Sequence, residues 1–169
     1  MSFDESPQAV ADRQAISDQI YRYCRAMDRI DAELGYSVWH EDGTADYGPE
    51  VFQGSGRGFI DFVCAQHRKT LTHVHQVTNI IIELDGERAG SESYVVSDLR
   101  AGGGDQVKQI TTWGRYIDKW SKRDGRWAID ARIAIRDFAE VRDVTPAPLP
   151  ERGARDASDP SYAVLGASK

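Results

Sequence analysis

Cysteine is scarce in this chain of 169 residues: Cys24 and Cys64 are the only two. Two cysteines give no disulfide framework, which suits a reducing cytosol. Long apolar runs are absent, and nothing approaches the ~20 residues needed to span a bilayer. The opening stretch, Met1-Ser2-Phe3-Asp4-Glu5-Ser6-Pro7, is acidic and lacks the apolar run of a signal peptide. These features predict a cytoplasmic protein with no membrane partner. Positive charge is in deficit, with 21 Lys and Arg against 27 Asp and Glu and a net charge of -6. Without a basic cluster, nucleic acids and anionic membranes are poor partners. Gly54, Gly56 and Gly58 follow no apolar strand, so they do not form the strand–glycine–helix order of a phosphate loop. They read as a loop that starts a helix.

The length suits one domain, with a core large enough to leave room for a cavity. The domain is predicted over 1–144, followed by a C-terminal tail over 145–169. Residues from about Pro7 to Asp31 read as an amphipathic helix, with Ile16, Ile20, Tyr23, Met27 and Ile30 as its core stripe. Tyr21, Cys24 and Asp28 form a second row on the flank. A short helical piece over Ala32–Trp39 and a short strand around Thr44–Gly48 come next. A helix over about Gly58–Thr70 is predicted to bury Phe59, Phe62, Val63, Gln66 and Leu71. It carries His67, Arg68 and Lys69 near its C-terminus, where cations are favoured. From there the pattern changes to strands: His73–Leu84, closed by Asp85-Gly86; Glu87–Arg100, with a glycine loop at Gly102–Gly104; Gln106–Ser121; and Arg126–Val141. Helices followed by an antiparallel meander predict an α+β fold, with helices packed on one face of a curved sheet. The tail is rich in proline and charge. It would stay ordered only if the pocket mouth or a neighbouring subunit held it.

The strand beginning at Leu71 is unusual. A side-chain period of two puts His73, His75, Val77, Asn79 and Ile81 on one face. Two imidazoles, a valine and an amide suit a pocket wall rather than a plain core. On the last strand Ala128, Asp130, Arg132, Ala134 and Arg136 share a face, and Ile129, Ala131, Ile133 and Ile135 the other. The isoleucine face should be covered by another sheet or subunit. Arg132 and Arg136 either line the pocket, where they would hold an anion or developing oxyanion, or reach solvent and pair with Asp130 and Asp137. Asp28 is either a solvated or capping residue beside arginines or a carboxylate held for chemistry. Asp98 is either a buried acid or a solvent-face residue. His73 is a pocket-mouth residue with or without a role. Tyr36, Trp39, Tyr47, Phe59 and Trp113 are candidate pocket aromatics. A His-x-His strand can chelate, but metal sites normally need three or more protein ligands and the spacing specifies no third; no metal and no cofactor are expected.

Tyr23-x-x-x-x-Asp28 on the first helix, followed by His75-x-x-x-Asn79 on a strand, resembles the SnoaL-like branch of the nuclear transport factor 2 superfamily over about 8–142. The fold this implies is a cone: three helices closing a curved antiparallel sheet around a deep pocket. Asp28, His75 and an arginine five residues after Trp127, namely Arg132, are similar to the hexachlorocyclohexane dehydrochlorinase. Tyr23, Asp28, His75, the acid Asp98 and Arg136 are similar to bile acid 7α-dehydratase. Tyr23 departs from the dehydrochlorinase, which has a lysine there. Scytalone dehydratase uses a second histidine on a later strand, and no histidine follows His75. The resemblance implies a cofactor-independent dehydratase-like lyase or isomerase acting on a hydrophobic cyclic small molecule. In that reading His75 takes a carbon-bound proton and Asp28 fixes its tautomer. Tyr23 with Arg132 or Arg136 holds the oxyanion, Asp98 protonates the leaving group, and Asn79 orients His75 or the substrate. A non-catalytic ligand-binding protein, or a structural module like the β subunits of ring-hydroxylating dioxygenases, is the alternative. A homo-oligomer is implied, a trimer before a dimer.

Overall fold

The computed structural model describes residues 4–103, 106–147 and 152–166. Gly104 of the glycine loop, and 148–151 and 167–169 of the tail, lie outside the described residues. Helix α1 spans Pro7–Arg29. It starts where the Ser6 hydroxyl accepts a hydrogen bond from the Ala9 N–H and Pro7 occupies the first turn. It stops at Ile30, which takes a left-handed conformation. Its stripe of Ile16, Ile20, Tyr23 and Met27 is fully buried, each aliphatic side chain contributing about 1.5–3 kcal/mol. Helix α2 (Ala32–Ser37), strand β1 (Trp39–Asp46), strand β2 (Gln53–Ser55) and helix α3 (Gly56–His67) follow. Trp39 therefore opens a strand rather than closing a helix. On α3 the buried positions are Gly56, Phe59, Ile60, Cys64 and His67, whereas Gln66, and Leu71 beyond the helix end, are exposed.

Strands β3 (Thr72–Asp85), β4 (Arg88–Gly103), β5 (Gln106–Arg123) and β6 (Arg126–Val144) form the predicted antiparallel meander. The curved sheet has six strands in the order β2-β1-β6-β5-β4-β3, with β1 running parallel to β6. The helices pack against its inner face, giving the predicted α+β arrangement. Trp127 and Lys122 tie the sheet to α1 through Asp12, donating at 2.7 and 2.9 Å. No helix among the described residues is long and apolar enough to cross a membrane.

Two departures from strict alternation decide which side chains look inward. In β3 the ladder to β4 slips between Thr78 and Ile81, where Asn79 adopts φ 50°. Asparagine tolerates this left-handed conformation, and the extra residue makes a β-bulge. His73, His75 and Val77 face inward, but beyond the bulge Ile82 is buried and Ile81 is 59% exposed. In β6, bulges fall at Asp130, between the Trp120–Ile129 and Lys119–Ala131 pairs, and at Asp137, between Gly114–Arg136 and Trp113–Phe138. Ile129 is thus in the core, while Ile133 and Ile135 are exposed. Gly114 is required beside the second bulge, since a Cβ there would run into the carbonyl oxygen of Ile135.

The described part of the tail packs on the corner between α1 and β3 and ends in a short helix α4 (Pro160–Leu165). Arg155 donates to the carbonyl of His67 at 2.8 Å and that of Thr70 at 2.7 Å. The Tyr162 hydroxyl donates to Asp31 at 2.9 Å, and Arg25 lies 4.7 Å over its ring.

Candidate active site

Asp28 lies on the last full turn of α1 and His75 near the start of β3. The His75 ring nitrogen Nδ1 is 2.8 Å from one Asp28 oxygen, and its backbone N–H donates to the other at 3.1 Å. The carboxylate accepts both, so Nδ1 carries the hydrogen and Nε2 is left free. Their side chains are 13% and 9% exposed. The two-oxygen grip fixes both the rotamer of Asp28 and the orientation of the ring.

His75 forms part of the wall of a cavity of about 450 Å³. Met27, Phe59, Phe62, Val63, Val95 and Leu99 give the cavity apolar walls, Tyr23, Tyr47, Ser97, Thr112 and Tyr116 supply hydroxyls, and Glu50 and Arg136 bring charge to its lining. The sheet register explains the back wall. His75, Ser97 and Thr112 stand in one cross-strand row, Val77, Val95, Gly114 and Arg136 in the next, and Tyr116 with Ala134 beyond. Tyr47 stacks on Phe59 with centroids 3.7 Å apart. The hydroxyls of Tyr23 and Tyr47 are 2.7 Å from each other. Burial raises the pKa of both phenols, so both remain hydrogen-bond donors at neutral pH. On its other side the Asp28–His75 pair borders a smaller cleft with Tyr21, Cys24, Arg25, Arg29 and Val77.

The predicted site residues divide accordingly. Asp28, His75, Tyr23, Tyr47, Phe59 and Arg136 come together at the cavity or in direct contact with its wall. Arg132 does not line it. Its guanidinium and the Asp118 carboxylate are fully buried and paired through bonds of 2.7 and 2.8 Å. Burial opposes the charge on Arg132, but Asp118 outweighs it and raises its pKa well above the ordinary value. The guanidinium lies 4.2 Å from the Tyr23 ring centre and 4.0 Å from that of Tyr116, so it is a buried cation behind the phenols, not a group in the cavity.

Asp98 is on the outer face. It pairs across the sheet with Val74 and Thr111 and accepts from Gln109 at 2.8 Å and from the Thr111 hydroxyl. Strand parity excludes it, because Ser97 and Leu99 hold the inward positions. Trp113 is also outward, stacked on Phe138 at 4.7 Å. Asn79 is exposed in its bulge, away from His75. Trp39 is buried beside Arg132, and a Cβ on Gly56 would collide with its indole. Tyr36 bonds Asp61 outside the cavity. His73 is buried, with Nε2 at 2.6 Å from the Met27 carbonyl.

His67 is the cavity residue that the sequence pattern misassigns. Near a helix C-terminus it reads as a cation, yet it is 6% exposed and lines the cavity. Its ring is 3.9 Å from His73 and 5.8 Å from His75. Burial, reinforced by His73 and His75, pulls its pKa down to about 3, so it is neutral. The tight position of His67 against the paired β3 histidines leaves no signal in local sequence. Among the described residues no three His, Cys, Asp or Glu side chains gather into a metal-holding group.

The model of the SnoaL-like domain family matches residues 8–133 of this chain. No curated protein sequence matches it. Among solved structures, the hexachlorocyclohexane dehydrochlorinase LinA-type3 of Novosphingobium barchaimii is similar with a TM-score of 0.72 and 17% identity, over 83% of this chain and 97% of that one. A protein named as a scytalone dehydratase from Novosphingobium aromaticivorans gives 0.69 and 22%, over 84% and 97%. A Mycobacterium tuberculosis protein of unknown function gives 0.65 and 21%, over 98% and 90%. At these identities the likeness speaks for the fold, the nuclear transport factor 2-like cone.

Proposed function

The chain belongs to the SnoaL-like domain family, and on that premise we propose that it is a cofactor-independent lyase or isomerase acting on a hydrophobic cyclic small molecule. The observation that carries the reading is the hydrogen-bonded Asp28–His75 pair on the wall of a cavity with apolar and hydroxyl-bearing walls. Asp28 fixes the tautomer that leaves Nε2 unprotonated, and a neutral imidazole is suited to take a carbon-bound proton. Removal of a proton beside a carbonyl leaves an enolate. One of the Tyr23 and Tyr47 hydroxyls donates to the other, and the remaining hydroxyl hydrogen of this linked pair is the donor that would hold its oxygen, with the Arg132 charge behind them favouring negative charge at that end.

The position of Asp98 alters the second half of the reaction. With that acid outside, the imidazolium of His75 returns its proton. In a dehydration the C–O electron pair leaves with the hydroxyl, which takes the His75 proton and departs as water. In an isomerisation the same proton goes to a different carbon. Either way one C–H bond is broken, no electrons are gained or lost, and Asp28 steadies the transient imidazolium.

The exposed side chains of Ile133, Ile135 and Phe138 support self-association through the outer sheet, with a trimer favoured over a dimer. We place the protein in the cytoplasm on its composition. The test of function is a panel of cyclic β-hydroxyketones, hydroxy-steroids included, followed by absorbance of the conjugated enone product. Turnover by the wild type and its loss in His75→Ala is the expected result. Saturable binding without conversion, unchanged in His75→Ala, would instead make the chain a ligand-binding protein. No binding at all would favour a structural module of the dioxygenase β-subunit kind.

A further inference from the structure

The family match ends at residue 133, and the dehydrochlorinase of N. barchaimii aligns with 83% of the chain, whereas the M. tuberculosis protein aligns with 98%. The described tail, 152–166, follows the last strand of the sheet. It contacts Arg29, the neighbour of Asp28 on α1, and His73, two places before His75 on β3. We infer that Arg155 is a positioning residue for that pair, acting through His73; this rests on the reading of Asp28 and His75 given above.

The geometry runs as a relay. Nδ1 of His73 is 3.4 Å from the Arg155 guanidinium and 3.4 Å from the Thr70 hydroxyl. The Met27 carbonyl can only accept, so Nε2 of His73, 2.6 Å away, carries the hydrogen and donates to it. Nδ1 of the neutral ring is then the acceptor nitrogen that faces the Arg155 guanidinium. The Met27 carbonyl belongs to the peptide leading into Asp28. His73 itself stands two places before His75 on the same face of β3. One ring therefore ties the end of α1 to the start of β3, with the Met27 carbonyl holding its hydrogen on Nε2 and Arg155 closing off the Nδ1 side. Burial lowers the pKa of His73, and His75 and Arg155 lower it further, in keeping with a neutral ring.

Arg155 is itself rigidly held. It donates to the His67 carbonyl, the Thr70 hydroxyl and the Thr70 carbonyl at 2.8, 3.0 and 2.7 Å. The His67 and Thr70 carbonyls lie at the end of α3 and just beyond it, where unpaired carbonyls and the helix dipole favour a cation. The segment is pinned again at Asp159, whose carboxylate takes the Ala154 N–H at 3.0 Å and lies 3.6 Å from Arg29. Arg29 neighbours Asp28 in α1. The tail thus grips both elements that carry the pair.

The test is the imidazole signals of the full-length protein in two-bond ¹H–¹⁵N spectra, which report each ring's tautomer. In the wild type His73 shows the Nε2–H form, and His75 shows the Nδ1–H form with a slowly exchanging downfield proton bound to Asp28. Arg155→Met is expected to shift the His73 Nδ1 signal and to speed exchange of the His75 proton about tenfold or more, from the loss of charged hydrogen bonds. Amide signals of the β5–β6 hairpin around Asp124 and Gly125 should not move. Arg155→Lys, which keeps one donor, should recover part of the protection; it also gives the readout if the methionine variant does not fold. Unchanged His73 and His75 signals in both variants would overturn the positioning role while leaving the Asp28–His75 reading intact. A wild type without the Asp28-bound proton would overturn that reading and the relay with it.

Discussion

Removing the Arg132 guanidinium should destabilise the protein far more than its distance from the surface of the cavity suggests. Arg132→Met keeps length and apolar contact with Tyr23 and Tyr116 but leaves Asp118 buried, with no side-chain exposure and without its two short charged bonds. Breaking a buried pair in this way costs about 3–5 kcal/mol. For a protein of ordinary stability that is a large fraction of the total, and it should move a urea midpoint down by about 2 M. Arg132→Met combined with Asp118→Leu removes both charges and should regain most of the loss, because the burial cost of the ions disappears with them. Urea unfolding followed by far-UV circular dichroism reads both variants. A single variant within about 1 kcal/mol of wild type, or a double variant no better than the single, would refute the buried-pair account.

The remaining predictions concern acid. The Lys122 and Trp127 side chains hold the Asp12 pKa down to about 2, against burial. The stabilisation is therefore full above the unfolded carboxylate pKa and fades as pH falls from about 4 through 2. Asp12→Asn should cost about 2 kcal/mol at pH 7, with the difference from wild type vanishing near pH 2 in a pH series of denaturation curves. His67 behaves differently: burial and its histidine neighbours keep it neutral down to about pH 3, whereas an unfolded histidine binds its proton near 6.5. Stability should fall as pH drops through that window, and His67→Leu should shift the acid-unfolding midpoint to lower pH.

How much of this was legible in sequence depends on how local the determinant is. The α1 stripe and the place of Asp28 on its flank follow from helical spacing alone, and His75 follows from strand parity counted over only three residues. Parity failed where a bulge intervened. Asn79 in its left-handed conformation turned the rest of β3 over, and the bulge at Asp130 moved Ile129 into the core while leaving Ile133 outside. Asp98 took its acid role from the family resemblance and Trp113 its place from residue type, and their strand positions send both outward. The parallel pairing of β1 with β6, which buries Trp39 beside Arg132, joins segments far apart in the chain and leaves no periodic trace. The tail has the composition of a disordered segment, yet single residues, Arg155, Asp159 and Tyr162, fix it.

The central claim is that His75, oriented by Asp28, moves a carbon-bound proton. It is tested most directly by incubating cyclic ketones that bind the protein in deuterated water and following deuterium at the carbon beside the carbonyl by mass spectrometry. The account predicts incorporation by the wild type that falls roughly a hundredfold or more in His75→Gln, the size of effect typical of a lost general base, and strongly in Asp28→Asn. Incorporation at the same rate in all three proteins, or none by the wild type with ketones shown to occupy the cavity, would contradict it.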